Sequence, residues 1–218
     1  MLAGVDNFCG SRSLQGILEV WALMTDPAEG STMGVMTVMP HTGNEWTVDD
    51  LDVLPDDGLQ YELLDGLLLV TPAPAPIHQR VSRRLLVLLD AACPPGYEVF
   101  TAPLDWRPDS RTSVQPDLLV VRNEDVGEQN VSAPLILAVE VLAPSTRRKD
   151  QSLKRSKYED AGVQTYWIID PAEPSLLALD LTDGTYVTTT HTRGTERAAL
   201  HTPFPLEVVP AELVQPAP

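Results

Sequence analysis

LILAVEV, residues Leu135–Val141, decides the fold. Six apolar residues surround one acid, Glu140. A short apolar run of this kind reads as a strand covered on both faces. A polar helix is expected next, over about Asp150 to Ala161, with Gly162 as its C-cap. TYWIID, Thr165–Asp170, then reads as a second strand. Strand, helix and strand in that order form a crossover, which requires parallel pairing of the two strands.

The flanking sequence adds antiparallel elements. Tyr61–Val70, YELLDGLLLV, places Asp65-Gly66 between two apolar runs, a strong hairpin signal. Asp183-Gly184 gives a second hairpin between LLALDL and TYVTTT. Thr47-Val-Asp-Asp50 resembles a helix N-cap with an acid three residues on. A proline-rich bend, Pro72 to Pro76, precedes an amphipathic helix over Ile77–Ala92, whose Val81, Leu85, Leu88 and Leu89 recur at helical spacing. Further strands are expected at Tyr97–Thr101, Pro103–Arg107, Asp117–Val121 and Leu206–Val209. Residues 1–44 are rich in Gly, Ser, Thr and Met without a sustained period, and read as a poorly ordered extension. The expected organisation is one α/β domain over residues 45–213, with a mixed central sheet, helices on its faces, added β-hairpins and a tail at 214–218.

The chain carries 15 basic and 31 acidic residues, a net charge of -16. Bulk attraction to nucleic acid is excluded, so a polyanion has to meet a local basic patch or a bound cation. Cys9 and Cys93 form no framework and no CxxC pair, which fits a reducing, cytoplasmic compartment and argues against structural zinc. The apolar run Gly16–Met24 is short and interrupted by Glu19, so no membrane partner is expected.

Glu140 is the residue that carries chemistry. A carboxylate in a covered strand costs several kcal/mol, in order-of-magnitude terms, unless a metal ion, a lysine or arginine, or backbone donors compensate it. Asp117, at the start of DLLVV, has a similar setting. Two acids on neighbouring strands can converge on one cation, and magnesium suits such an oxygen site. The segment Arg147–Tyr158, RRKDQSLKRSKY, holds six of the fifteen basic residues. Within it Lys154, Lys157 and Tyr158 share a helix face. Two acids, a divalent metal and a lysine beside a water suit phosphodiester hydrolysis.

QPDLLVV around Asp117, LAVEVLAPST around Glu140, the D-x3-K-x3-Y spacing of Asp150, Lys154 and Tyr158, and AGVQTYWIIDP resemble the Uma-two family. YELLDGLLLVTPAPAPIHQRV looks like the N-terminal signature of that family. It belongs to the PD-(D/E)XK, restriction-endonuclease-like superfamily, and the resemblance runs from about Thr47 to Leu213. It implies a restriction-endonuclease-like core and a metal-dependent endonuclease acting on DNA. Mg2+ or Mn2+ would sit on Asp117 and Glu140, with Lys154 orienting the attacking water. The superfamily lysine normally stands two residues after the acid, where this chain has Leu142. Lys154 fits the family's displaced position, and Lys157 is the alternative. The resemblance also places Glu62 as a further metal ligand, directly or through water, His78 and Gln79 at the substrate side, and Tyr158 at the site border. Analogy with nuclease folds that pair to cut two strands leaves room for a homodimer, which no residue of the sequence specifies.

Blander readings stand beside these. Glu140 reads equally as a buried acid paired with a helix lysine, Asp117 as a strand-entry turn residue, and the basic cluster as a solvated helix face. His78 reads as a capping or surface histidine, and Tyr158 and Trp167 as core. The rival functions are a catalytically inactive nuclease-fold module that binds nucleic acid or a protein partner, and an acid/base hydrolase using Asp117 and Glu140. An aromatic content of 6% argues against the sugar platforms a glycosidase needs.

Overall fold

The computed structural model describes residues 37–39, 45–54, 59–71, 73–143 and 149–216. Most of residues 1–44, together with Pro55–Gly58, Pro72, Arg147 and Arg148, lie outside these. Strand β1 (Thr37–Met39) falls within the stretch read as an irregular extension. Helix α1 (Val48–Leu51) starts at the expected N-cap, where Thr47 and Asp50 form a reciprocal capping box. Strands β2 (Gln60–Leu64) and β3 (Leu67–Thr71) are the arms of the first hairpin. Asp65 and Gly66 both take positive φ, 50° and 83°, as a two-residue turn between twisted strands demands.

Helix α2 (Pro76–Ala92) opens on a proline, whose missing N–H is no loss in a first turn. It buries Val81, Ser82, Leu85 and Leu89. Strands β4 (Tyr97–Thr101), β5 (Trp106–Asp109), β6 (Thr112–Val114) and β7 (Leu118–Arg122) follow. The strand expected over Pro103–Arg107 is thus displaced. The fully buried Trp106, paired with Val114, anchors the strand, which runs on to Asp109 through a register shift that takes in Pro108. Asp117 stands one residue before β7 rather than opening it.

Strand β8 (Leu137–Val141), helix α3 (Lys149–Asp160) and strand β9 (Thr165–Asp170) make the crossover, with β8 and β9 parallel and Glu140 opposite Ile168. Gly162, at φ 78°, ends α3 as expected. Strands β10 (Ser175–Thr182) and β11 (Thr185–Arg193) form the second hairpin. Strands β12 (Ala198–Leu200) and β13 (Leu206–Val208) pair with each other. Helix α4 (Pro210–Val214) follows them, where only a short terminal strand and a tail were expected.

The central sheet has six strands in the order β11-β10-β9-β8-β7-β4, parallel only at β8–β9. It is therefore mixed and flanked by helices, as expected. A second, five-stranded sheet runs β1-β3-β2-β6-β5. Alternation along each strand sorts the central side chains into two cores. Leu118, Val120, Leu137, Val139 and Val141 face α2, β12, β13 and α4. Leu119, Val121 and Ala138 face the opposite way, where Leu64, Leu69, Val114 and Tyr158 meet them from the second sheet and α3. Glu140 shares the parity of Ala138, so it points into the second layer.

Candidate active site

The sequence posed Glu140 as an acid in need of compensation, and two side chains supply it. The Lys154 ammonium donates to Glu140 Oε1 and Oε2 at 3.2 and 3.3 Å. The same Nζ donates to Glu62 Oε1 at 2.9 Å. The Tyr158 hydroxyl donates to Glu140 Oε1 at 2.7 Å. Lys154 and Tyr158 lie four residues apart, on one face of α3, and both are buried. Tyr158 is wedged between Trp106 and Tyr166, with ring centroids 5.4 and 5.1 Å away, so its hydroxyl has a fixed aim.

Asp117 is held by different means. The β7–β8 ladder pairs Leu118 with Val139 and goes no further in that direction. Beyond it the Val141 N–H donates 2.7 Å to Asp117 Oδ2, so a carboxylate stands in for the backbone acceptor. His78 Nε2, from the first turn of α2, lies 3.0 Å from the same oxygen. The departure of the chain from the ladder seats Asp117 beside the residue that follows Glu140.

The electrostatics follow from crowding. Burial pushes the Glu140 carboxyl up to about 7; Lys154 opposes this, and Asp117 and Glu62 add to it. For Lys154, burial works against the charge, but Glu140 and Glu62 outweigh it and hold the ammonium well above its ordinary range. His78 is likewise opposed by burial and raised on balance by its bond to Asp117. Burial and the neighbouring Glu140 raise Tyr158 far enough that it stays a phenol and a donor.

Two acids, Glu62 and Glu140, thus share one lysine, with Asp117 close enough to add to the field at both Glu140 and Lys154. A site with surplus carboxylate oxygen and an acid titrating near neutrality fits a hard divalent cation, which one or two carboxylates and waters can hold. Asp117 and Glu140 are the pair expected from the sequence to hold it. Among the described residues no three His, Cys, Asp or Glu side chains are grouped to hold a metal ion. The Lys154 ammonium lies between Glu62 and Glu140 and bonds Glu62 through Oε1, the oxygen that also accepts from the Gln115 N–H.

The other expected residues divide. Lys157 is directed away from the acids. Its Nζ bonds Asp65 Oδ1 and Asp109 Oδ2, each at 2.6 Å. Gln79 is exposed one residue beyond His78. Both lysines that were read as part of a solvated basic face are turned inward onto acids, while Arg155 remains exposed. Sequence reasoning missed Gln115. Its N–H donates 2.7 Å to Glu62 Oε1 and its side-chain Nε2 donates 2.8 Å to Asp105, which Arg107 pairs at 2.7 Å. The one available signal was its place in the QPD stretch, two residues before Asp117.

Among the described residues no helix is long and apolar enough to cross a membrane. The structure is similar to the crystal structure of a "putative nuclease belonging to DUF820" from Anabaena variabilis, with a TM-score of 0.60 and 17% identity over 78% of this chain and 97% of that one. At that identity the likeness is one of fold. No curated protein matches. A family model matches residues 48–212, from the start of α1 into α4. A match of that extent makes the chain a member of the Uma2 family, described as "Putative restriction endonuclease".

Proposed function

We propose that the chain is a metal-dependent endonuclease that hydrolyses DNA phosphodiester bonds. The convergence of Asp117, Glu140 and Lys154, from two strands and a helix, is the observation that carries this reading. In it, Asp117 and Glu140 hold Mg2+ or Mn2+. Such a cation, when bound, lowers the pKa of a water and neutralises charge on the phosphoryl group.

The side chains then have distinct tasks. Val141 N–H and His78 fix Asp117, and Tyr158 fixes Glu140. Glu62, itself held by the Gln115 N–H, anchors the lysine rather than the metal. Lys154 stays charged across the neutral range, so it is a hydrogen-bond donor and not a base. It orients the attacking water and donates to the charge that grows on the phosphate.

One observation favours a second reading. The Lys154 ammonium already bonds both Glu62 and Glu140, and Leu142 occupies the usual superfamily lysine position. A nuclease-fold module that binds nucleic acid or a protein partner without cutting would also hold its acids this way.

Supercoiled plasmid and single-stranded DNA, each with Mg2+ or Mn2+, separate the two. Metal-dependent nicking by the wild type, absent with EDTA and lost in Glu140→Ala and Lys154→Ala, is expected. A folded wild type that cuts neither substrate would favour the binding module.

A further inference from the structure

We propose that Lys157 is a positioning residue, which pins α3 to the turns of two hairpins and thereby sets where the Lys154 ammonium stands. Its consequence for turnover rests on the nuclease reading; its geometry does not.

α3 offers little apolar surface to its neighbours. Among its described side chains only Lys154 and Tyr158 are buried, and Leu153 is 49% exposed. Tyr158 anchors α3 at one point in the aromatic core, but without a longer apolar stripe burial alone does not fix how the helix sits, and directional contacts complete it. Lys157 makes two. Asp65 is the turn residue next to β2, the strand that carries Glu62. Asp109 ends β5, and the chain returns through β6 to Gln115, which holds Glu62. Lys157 therefore ties the helix to the same framework that supplies the acceptor for Lys154.

The Lys157 side chain is only 12% exposed, although Asp65 and Asp109 are 61% and 44% exposed. A surface pair would be worth little, but this ammonium is sheltered and held from two sides. Lys154 lies one turn earlier on the same face. A helix displaced by about 1 Å would carry its Nζ out of hydrogen-bond range of Glu62 and Glu140. Other polar contacts near this end of α3 run to β8 and β11 and not to the hairpins: the Tyr158 hydroxyl donates to Glu140, Arg155 donates to the Tyr186 carbonyl at 3.5 Å, and Glu159 Oε2 accepts from the Tyr186 N–H at 2.8 Å.

The test reads Lys154 directly. The chain has three lysines, Lys149, Lys154 and Lys157, so amine acylation followed by peptide mass spectrometry resolves each. In the wild type Lys154 is expected to be protected. In Lys157→Met, and in Asp65→Asn with Asp109→Asn, its labelling rises roughly tenfold. Lys157→Arg restores protection, and Glu159→Ala leaves Lys154 protected, with thermal unfolding of each variant recorded alongside. On plasmid, Lys157→Met and the double asparagine variant both lose roughly tenfold in kcat at unchanged KM.

Lys154 staying protected in Lys157→Met and in the double asparagine variant would overturn the proposal. So would equal exposure in Glu159→Ala, since any loosening of the helix would then suffice. Full turnover in the double asparagine variant, with none in Lys157→Met, would make Lys157 itself the catalytic lysine and overturn it too. If labelling changes as expected but the wild type cuts no DNA, the nuclease reading fails and the positioning role stands.

Discussion

Helices α2 and α3 flank the same sheet and are docked by opposite physics. α2 lays Val81, Leu85 and Leu89 into a core with Leu118, Leu137 and Trp167. α3 buries Lys154 and Tyr158 and offers its acids and bases to charged partners. Hydrophobic burial is strong and non-directional. It secures a scaffold without fixing any one atom. Hydrogen-bonded charge is weak per pair in water but directional. It suits a helix whose task is to hold one nitrogen against two carboxylates.

The contrast can be broken by mutation. Lys154→Met should have the largest effect, a loss of about 4 kcal/mol in urea unfolding, because Glu62 and Glu140 are left without a cation. That loss should shrink as pH falls and Glu140 takes up a proton. Leu85→Ala should cost about 3 kcal/mol through lost burial and a cavity, with no dependence on salt. If Lys154→Met instead proves milder than Leu85→Ala, charge does not dominate the docking of α3.

Glu140→Gln should go the other way. Glu140 rises from 4.5 to about 7 on folding, so its contribution is present below 4.5 and is lost as pH climbs through about 7. Without metal, the glutamine variant should therefore be more stable than wild type above that window, by about 2 kcal/mol, and equal to it in acid. Added Mg2+ should raise the melting temperature of wild type and not of Glu140→Gln. Leu153→Ala should be the smallest change, within about 0.5 kcal/mol, although it removes a leucine from a helix. A loss comparable to that of Leu85→Ala would reveal an apolar partner for α3.

Local pattern made much of this legible. The crossover, both Asp-Gly hairpins and the amphipathic helix stand where periodicity and turn chemistry put them. Glu140 and Lys154 meet because the crossover leaves the helix little choice but to pack near its own strand. Other features depend on contacts between distant segments. Nothing in TSV, Thr112–Val114, announces a strand, because three residues carry no period. The division of strands into two sheets is set by packing. Lys154 and Lys157 share one helix face, so helical periodicity does not separate them; the family spacing favours Lys154, and the hairpin acids that hold Lys157 are distant in sequence.

Glu62 and the Lys154 it receives are 92 positions apart, and this has a consequence for the timing of assembly. At roughly 5–20 residues per second of synthesis, about 5–20 s pass between the emergence of one and the other. During that interval the nascent chain carries an acid without its counterion. The hairpin and the long amphipathic helix have time to settle first. The group that completes the constellation arrives last, on a helix that docks only onto a surface already folded.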